Sequence, residues 1–117
     1  MSFEFTNDMP IYLQVLEHIK MQIISAEYKP NQKLPSVREM SLIYAVNPNT
    51  IQKALGELEE MGLIYTERTN GKYVTNDITL IKNITKQTLS AKIKDFFEDM
   101  YKLGLEKQEI LDLINKE

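Results

Sequence analysis

Arg38, Asn47, Asn49, Thr50, Gln52 and Lys53 form one short run of side chains that can grip and read a nucleic acid. Amide side chains pair with the N6 and N7 edge of adenine, a guanidinium pairs with guanine or phosphate, and N–H groups at a helix N-terminus hold phosphate. A plainer alternative has Asn47 and Thr50 capping a helix while Arg38, Gln52 and Lys53 are ordinary solvated side chains. For Asn47, capping is the larger part. For Arg38 and Lys53 the charge pattern favours the functional reading. Between Lys29 and Gly56 there are four basic residues (Lys29, Lys33, Arg38, Lys53) and one acidic residue (Glu39), so the segment is locally +3 in a chain of net charge −3.

The elements that must position this run carry start and stop signals at nearly every joint. In Leu34-Pro35-Ser36-Val37-Arg38-Glu39, Ser36 can cap a helix and Glu39 can reach back to complete a capping box. A helix is expected from Ser36 to about Tyr44, with Val37, Met40 and Ile43 inward and Arg38 and Ser41 on the other side. Asn47-Pro48 then starts a second helix, with Asn at the N-cap and Pro at the first helical position. Ala45 and Val46 alone separate the two, a junction that suits a helix-turn-helix. Ile51, Ala54, Leu55, Leu58 and Met61 form the second helix's buried stripe and Gly62 ends it, leaving Asn49, Gln52, Lys53 and Gly56 outside. Glu57, Glu59 and Glu60 read as a solvated helix face. Leu63 to Arg68 and Tyr73 to Thr75 read as paired strands around Asn70-Gly71, which is expected to form a type I′ turn. The hairpin would be a wing.

Upstream, Pro10 to about Ala26 reads as a helix with Ile11, Val15, Ile19 and Ile23 at fourfold spacing, packed behind the reading head. Met1 to Asp8 is too short and polar to fold alone. His18 has no Cys or second His to work with, so a structural role outweighs metal binding or catalysis. Tyr12 and Gln14 have no chemistry that spacing assigns.

Downstream, Thr79 to Leu103 lacks Pro and Gly and reads as a long helix. Leu89, Ile93, Phe96, Met100 and Leu103 alternate steps of four and three, the spacing of a coiled-coil seam, and Ile84 and Phe97 widen the stripe. Gly104 ends it, and a last helix from Leu105 to Asn115 can fold Ile110, Leu113 and Ile114 onto the same surface. A second copy of the chain is the favoured cover, giving an isologous dimer with a two-fold axis; a monomer packed on its own head comes second. Phe96, Phe97, Met100 and Tyr101 could also line a ligand pocket, but packing is the default for an aromatic stripe.

Length and composition bound the rest. A chain of 117 residues holds one compact domain and an appendage. It has no Cys, so disulfides and the usual Cys-type zinc site are excluded. No apolar run reaches the roughly 18 residues a membrane span needs, and no signal-peptide pattern opens the chain, which predicts a cytoplasmic protein. No catalytic set or glycine-rich phosphate loop is present; an enzyme has little support and no cofactor is expected. Lys+Arg 14 against Asp+Glu 17 argues against tight nonspecific binding to nucleic acid.

From Pro10-Ile11-Tyr12-Leu13-Gln14, through the Leu-Pro-Ser-x-Arg-Glu and Val-Asn-Pro-Asn-Thr motifs, to its short helical tail, the chain resembles the GntR family of bacterial transcriptional regulators, and within it the YtrA-like subfamily. The resemblance implies a mainly α fold with a small β-hairpin: a winged helix-turn-helix DNA-binding domain over residues 9–76, then a two-helix dimerisation tail over 77–117. It implies that Ser36, Arg38, Asn47, Asn49, Thr50, Gln52, Lys53, Asn70, Gly71 and Lys72 meet DNA, Arg38 from the Leu-Pro-Ser-x-Arg motif and the last three from the wing tip in the minor groove. Leu89, Ile93, Phe96, Phe97, Met100, Leu103, Ile110, Leu113 and Ile114 would carry the dimer. The partners implied are a double-stranded operator with an inverted repeat and a second copy of the chain. An unidentified small-molecule effector is compatible, and control of neighbouring transporter genes, commonly as a repressor, follows from relatives alone. The family usually has Gly where this chain has Ala26 and Asn31. The competing reading is a winged-helix module that docks a protein through Glu57, Glu59 and Glu60.

Overall fold

Capping chemistry fixes the joints of the chain. The computed structural model describes residues 3–116. Its elements are α1 (Ile11–Ile24), α2 (Val37–Tyr44), α3 (Pro48–Glu60), β1 (Ile64–Glu67), β2 (Gly71–Val74), α4 (Ile78–Lys102) and α5 (Lys107–Lys116). Ser36 caps α2 with a complete capping box: its hydroxyl accepts from the Glu39 N–H at 3.1 Å, and its own N–H donates to the Glu39 carboxylate at 3.0 Å. Asn47 caps α3, accepting from the Asn49 N–H at 2.7 Å, with Pro48 at the first helical position. Asp77 does the same for α4 through the Leu80 N–H at 3.1 Å.

Helices α1 and α3 bury most of the stripe their spacing defines, although Ile11, in the first turn of α1, is 47 % exposed. Val15, Leu16, Ile19 and Ile23 of α1 join Ile51, Ala54, Leu55 and Leu58 of α3 in the core, with Leu34, Met40, Leu63, Ile64 and Val74. Full burial of one such aliphatic side chain is worth about 1.5–3 kcal/mol, so this shared core, rather than helix propensity, holds α1 to α3. In α2 the expected inward residue Ile43 is instead 57 % exposed, and Tyr44 is buried. The helix is only two turns long, and the step of four from Met40 reaches the core where the step of three does not.

The hairpin pairs Ile64 with Val74 and Glu67 with Gly71. The expected type I′ turn at Asn70-Gly71 is corrected. Arg68, Thr69 and Asn70 form the turn, closed by the Asn70 N–H on the Glu67 carbonyl at 3.2 Å, and of the pair only Gly71 has positive φ, at 107°. A longer loop with one left-handed glycine replaces the two-residue turn. The segment before α2 adds a third edge: the Asn31 N–H donates to Val74, Val74 to Gln32, and Leu34 to Lys72, with Lys33 bridged to Tyr73.

Two compact units divide the chain, Met1–Lys82 and Asn83–Glu117, the boundary falling inside α4. In the second, Ile84 and Ile110 are buried, while Leu89, Ile93, Phe96, Leu103, Leu113 and Ile114 are exposed. Of the three apolar residues expected to fold back from α5, only Ile110 is enclosed within the chain. Among the described residues, no helix is long and apolar enough to cross a membrane.

Candidate nucleic-acid interface

The tight turn between α2 and α3 sets the geometry of the face. Ala45 takes the left-handed conformation at φ 55°, and Ser41 staples the turn: its carbonyl accepts from the Val46 N–H at 3.1 Å and its hydroxyl donates to the Val46 carbonyl at 2.7 Å. Ser41, placed by periodicity on the outer side, thus works locally. Because Ile51, Ala54, Leu55 and Leu58 are buried, the opposite side of α3 presents Asn49, Gln52, Lys53 and Gly56 to solvent. Thr50 is half-buried. In the first turn of α2, Arg38 is exposed and makes no ion pair among the described residues. The face therefore offers two amides, a guanidinium and an ammonium beside the N-terminus of α3.

Two of the anticipated residues are already committed. The Ser36 hydroxyl and the Asn47 carboxamide oxygen hold helix caps. Capping also acts back on Glu39: hydrogen bonds from Ser36, backbone first and side chain second, hold its carboxyl below the usual range, with Lys33 adding to the effect.

Lys53 is not a loose cation. Its Nζ lies 4.0 Å from the centre of the Tyr12 ring, a cation–π contact that orients the side chain from α1. Gln14, one helical step away, ties down the segment before α1: its amide donates to the carbonyls of Thr6 at 2.9 Å and Met9 at 2.8 Å and accepts from the Thr6 N–H at 2.9 Å. Phe3 of that segment lies against His18 and Tyr44, and His18 Nδ1 meets the Tyr44 hydroxyl at 2.6 Å. Burial raises the Tyr44 phenol above its ordinary range. Sequence spacing alone could not have linked Tyr12 to Lys53 or Phe3 to Tyr44, since each pair joins elements far apart in the chain.

The wing and the start of α2 border a groove of about 370 Å³, lined among others by Lys33, Pro35, Ser36, Arg68, Asn70 and Lys72. Gly71 is needed at its edge for its backbone, at φ 107°, which residues with side chains rarely adopt, while an added Cβ would only touch the flexible end of Lys33. Asn70 and Gly71 are exposed, as is Arg68, which the sequence reading left out of the face and which the longer turn brings to the tip. Lys72 is different. Its ammonium lies 3.2 Å from the Glu59 carboxylate and 2.9 Å from the Thr66 hydroxyl, half-buried rather than free at the tip.

The model of the bacterial regulatory proteins of the gntR family matches residues 11–74. The HTH-type transcriptional regulator YhcF of Bacillus subtilis (strain 168) is 35% identical over 112 residues, 96% of this chain and 93% of its own length. The HTH-type transcriptional repressor YtrA of the same organism is 36% identical over 110 residues, 92% of this chain and 83% of its own. Among solved structures, a GntR family transcriptional regulator from Listeria monocytogenes superposes with a TM-score of 0.88 at 38% identity, covering 97% of this chain and 99% of that one. The DNA-binding domain of AraR in complex with operator ORE1 superposes with a TM-score of 0.57 at 32% identity, over 64% of this chain and 93% of that one.

Proposed function

The chain belongs to the gntR family of bacterial regulatory proteins, on its YtrA-like side, and we propose that it is a homodimeric repressor that binds an inverted-repeat operator. Its relatives are named as transcriptional regulators and not as enzymes. In this reading residues 9–76 are the DNA-binding head and 77–117 the dimerisation tail. One observation carries the proposal: α3 buries one full side and leaves Asn49, Gln52 and Lys53 exposed near its N-terminus, beside Arg38, which has no ion pair among the described residues. That is the arrangement a recognition helix needs to enter a major groove with its first turns. Asn49 and Gln52 read adenine edges, Arg38 and Lys53 hold guanine or phosphate, and Asn70 and Gly71 approach the minor groove from the wing. The genes controlled would be neighbouring ones, with transporters the first place to look.

The dimer rests on the apolar side chains that the tail leaves uncovered, Leu89, Ile93 and Phe96 on α4, Leu103 just past its end, and Leu113 and Ile114 on α5. Met100 and Phe97 are half-buried beside them, and Ile110 supports the surface from within. A protein-docking module is disfavoured, because Glu59, one of the three acids it would use, is bound to Thr66 and Lys72.

The test is a fluorescence-anisotropy titration against duplex tiles from upstream of the chain's own gene, with scrambled duplex as control, at two salt concentrations. Tight, salt-sensitive binding confined to a tile with an inverted repeat is the expected result. Equal weak binding to every tile, or an affinity indifferent to salt, would overturn the reading.

A further inference from the structure

The Glu59 carboxylate lies on the recognition-helix side of the wing, where it meets both strands. The Thr66 hydroxyl of β1 donates to its Oε1 at 2.6 Å, and the Lys72 ammonium of β2 donates to its Oε2 at 3.2 Å. Lys72 also donates to the Thr66 oxygen at 2.9 Å, closing a three-membered ring of bonds. Thr66 and Lys72 are direct cross-strand partners, so one carboxylate holds a single rung of the hairpin. Thr66 is the first cause, and Lys72 a further one, that keeps the Glu59 carboxyl below its usual range.

We propose that Glu59 is a positioning residue that fixes the wing against α3, with Lys72 serving as a strut to it and not as a phosphate contact. The inference rests on the DNA-binding reading above. It also reassigns two residues: Glu59 leaves the solvated acidic face of α3, and Lys72 leaves the set of free cations at the wing. An isolated exposed pair contributes little, but here the Thr66 hydroxyl both donates and accepts, so neither charged group swings freely. With Lys72 turned toward α3, Arg68 is the wing-tip cation that remains without an ion pair among the described residues.

The proposal makes a prediction of sign. Simple electrostatics expects removal of a carboxylate beside a DNA-binding face to strengthen binding, because it deletes a repulsion and frees a lysine. Positioning expects weaker binding. Wild type, Glu59→Ala, Glu59→Gln and Lys72→Met would be titrated on the operator tile and on scrambled duplex across a salt series, with amide exchange of β1 and β2 measured on the DNA-free proteins.

Glu59→Ala should weaken operator binding about fivefold or more and speed exchange in the hairpin but not in α1. Glu59→Gln, which keeps an acceptor for Thr66, should fall between it and wild type. Lys72→Met should weaken binding while leaving the log–log salt slope unchanged; a phosphate contact would lower its magnitude by about 0.9. Equal or tighter binding by Glu59→Ala, a slope change of that size in Lys72→Met, or unaltered hairpin exchange would each overturn the proposal. If wild type binds no duplex, the DNA reading fails by itself, and the exchange data still decide whether Glu59 anchors the wing. Should Glu59→Ala not fold, Glu59→Gln and Lys72→Met carry the same comparison.

Discussion

At the level of single residues, exposure and partnership separate side chains that have a free end from those already spent. Arg38 is exposed and has no ion pair among the described residues, so Arg38→Ala should cost binding at little cost to folding. If it holds phosphate, affinity falls for every duplex and the salt slope shrinks by about 0.9; if it reads a base, only the operator preference relaxes. Unchanged anisotropy curves would remove Arg38 from the face. Glu39 and Glu59 make a second prediction through pH. Both carboxyls are held below 4.5 by hydrogen bonds made only in the folded chain, Glu39 by Ser36 and Glu59 first by Thr66. A folded-state value below the unfolded one gives stability that is present above the unfolded value and is lost as pH falls through the folded one. Near neutrality the melting temperature should therefore carry the full contribution of both groups and not vary with pH through them, and it should lose that contribution below pH 4.5, with Glu59→Gln flattening that acid limb. An acid limb identical in wild type and variant would refute the assignment. Arg38, Asn49, Gln52 and Lys53 were legible in sequence because helical period alone sends them outward. The commitments of Lys53 to Tyr12 and of Lys72 to Glu59 were not, because they cross between elements.

At the level of elements, local rules read the joints correctly wherever one side chain decides the outcome, as at Ser36, Asn47 and Gly62. They failed where tertiary contacts chose among local options. Asn70-Gly71 favours a two-residue turn in isolation, yet the register of Glu67 with Gly71 leaves three residues to close the loop. The left-handed positions Ala26, Asn31 and Ala45, at φ 62°, 67° and 55°, show the converse: the surrounding fold imposes a backbone that two alanines do not prefer. Ala45→Gly should relieve that strain and stabilise the head by up to about 1 kcal/mol, seen as a higher Tm. The turn it serves is fixed by Ser41, so helix-turn-helix geometry should survive. Gly56 offers the opposite substitution. It sits inside α3, a Cβ there would meet nothing within 4 Å, and Gly56→Ala should stabilise by about 0.5–1 kcal/mol. A gain in Tm accompanied by lost operator affinity would place Gly56 against the DNA; a fall in Tm would contradict the open space beside it.

At the level of the whole molecule, the head's core is complete within one chain, and the tail's apolar surface is not. Leu89, Ile93, Phe96 and Leu103 are 45–73 % exposed, a run of large apolar side chains that soluble monomers rarely leave uncovered. Helical spacing made the stripe visible in sequence, whereas its cover was invisible because period says which side is apolar and not what lies on it. Phe96→Asp together with Met100→Asp should split the proposed dimer, since a closed isologous interface would bring two like-charged carboxylates from each partner into one apolar seam. The consequence for DNA follows from effective concentration. Two heads on one dimer make the second half-site contact intramolecular, and a monomer forfeits that gain, on the order of 10²-fold or more in affinity for an inverted repeat. Binding to a single isolated half-site should be unaffected, because the substitutions lie on α4 beyond the head's residues. Sedimentation velocity and anisotropy on full and half operators would be read together: a variant that still sediments as a dimer removes the stripe from the interface, and a monomer that binds the full operator as tightly as wild type removes dimerisation from the mechanism.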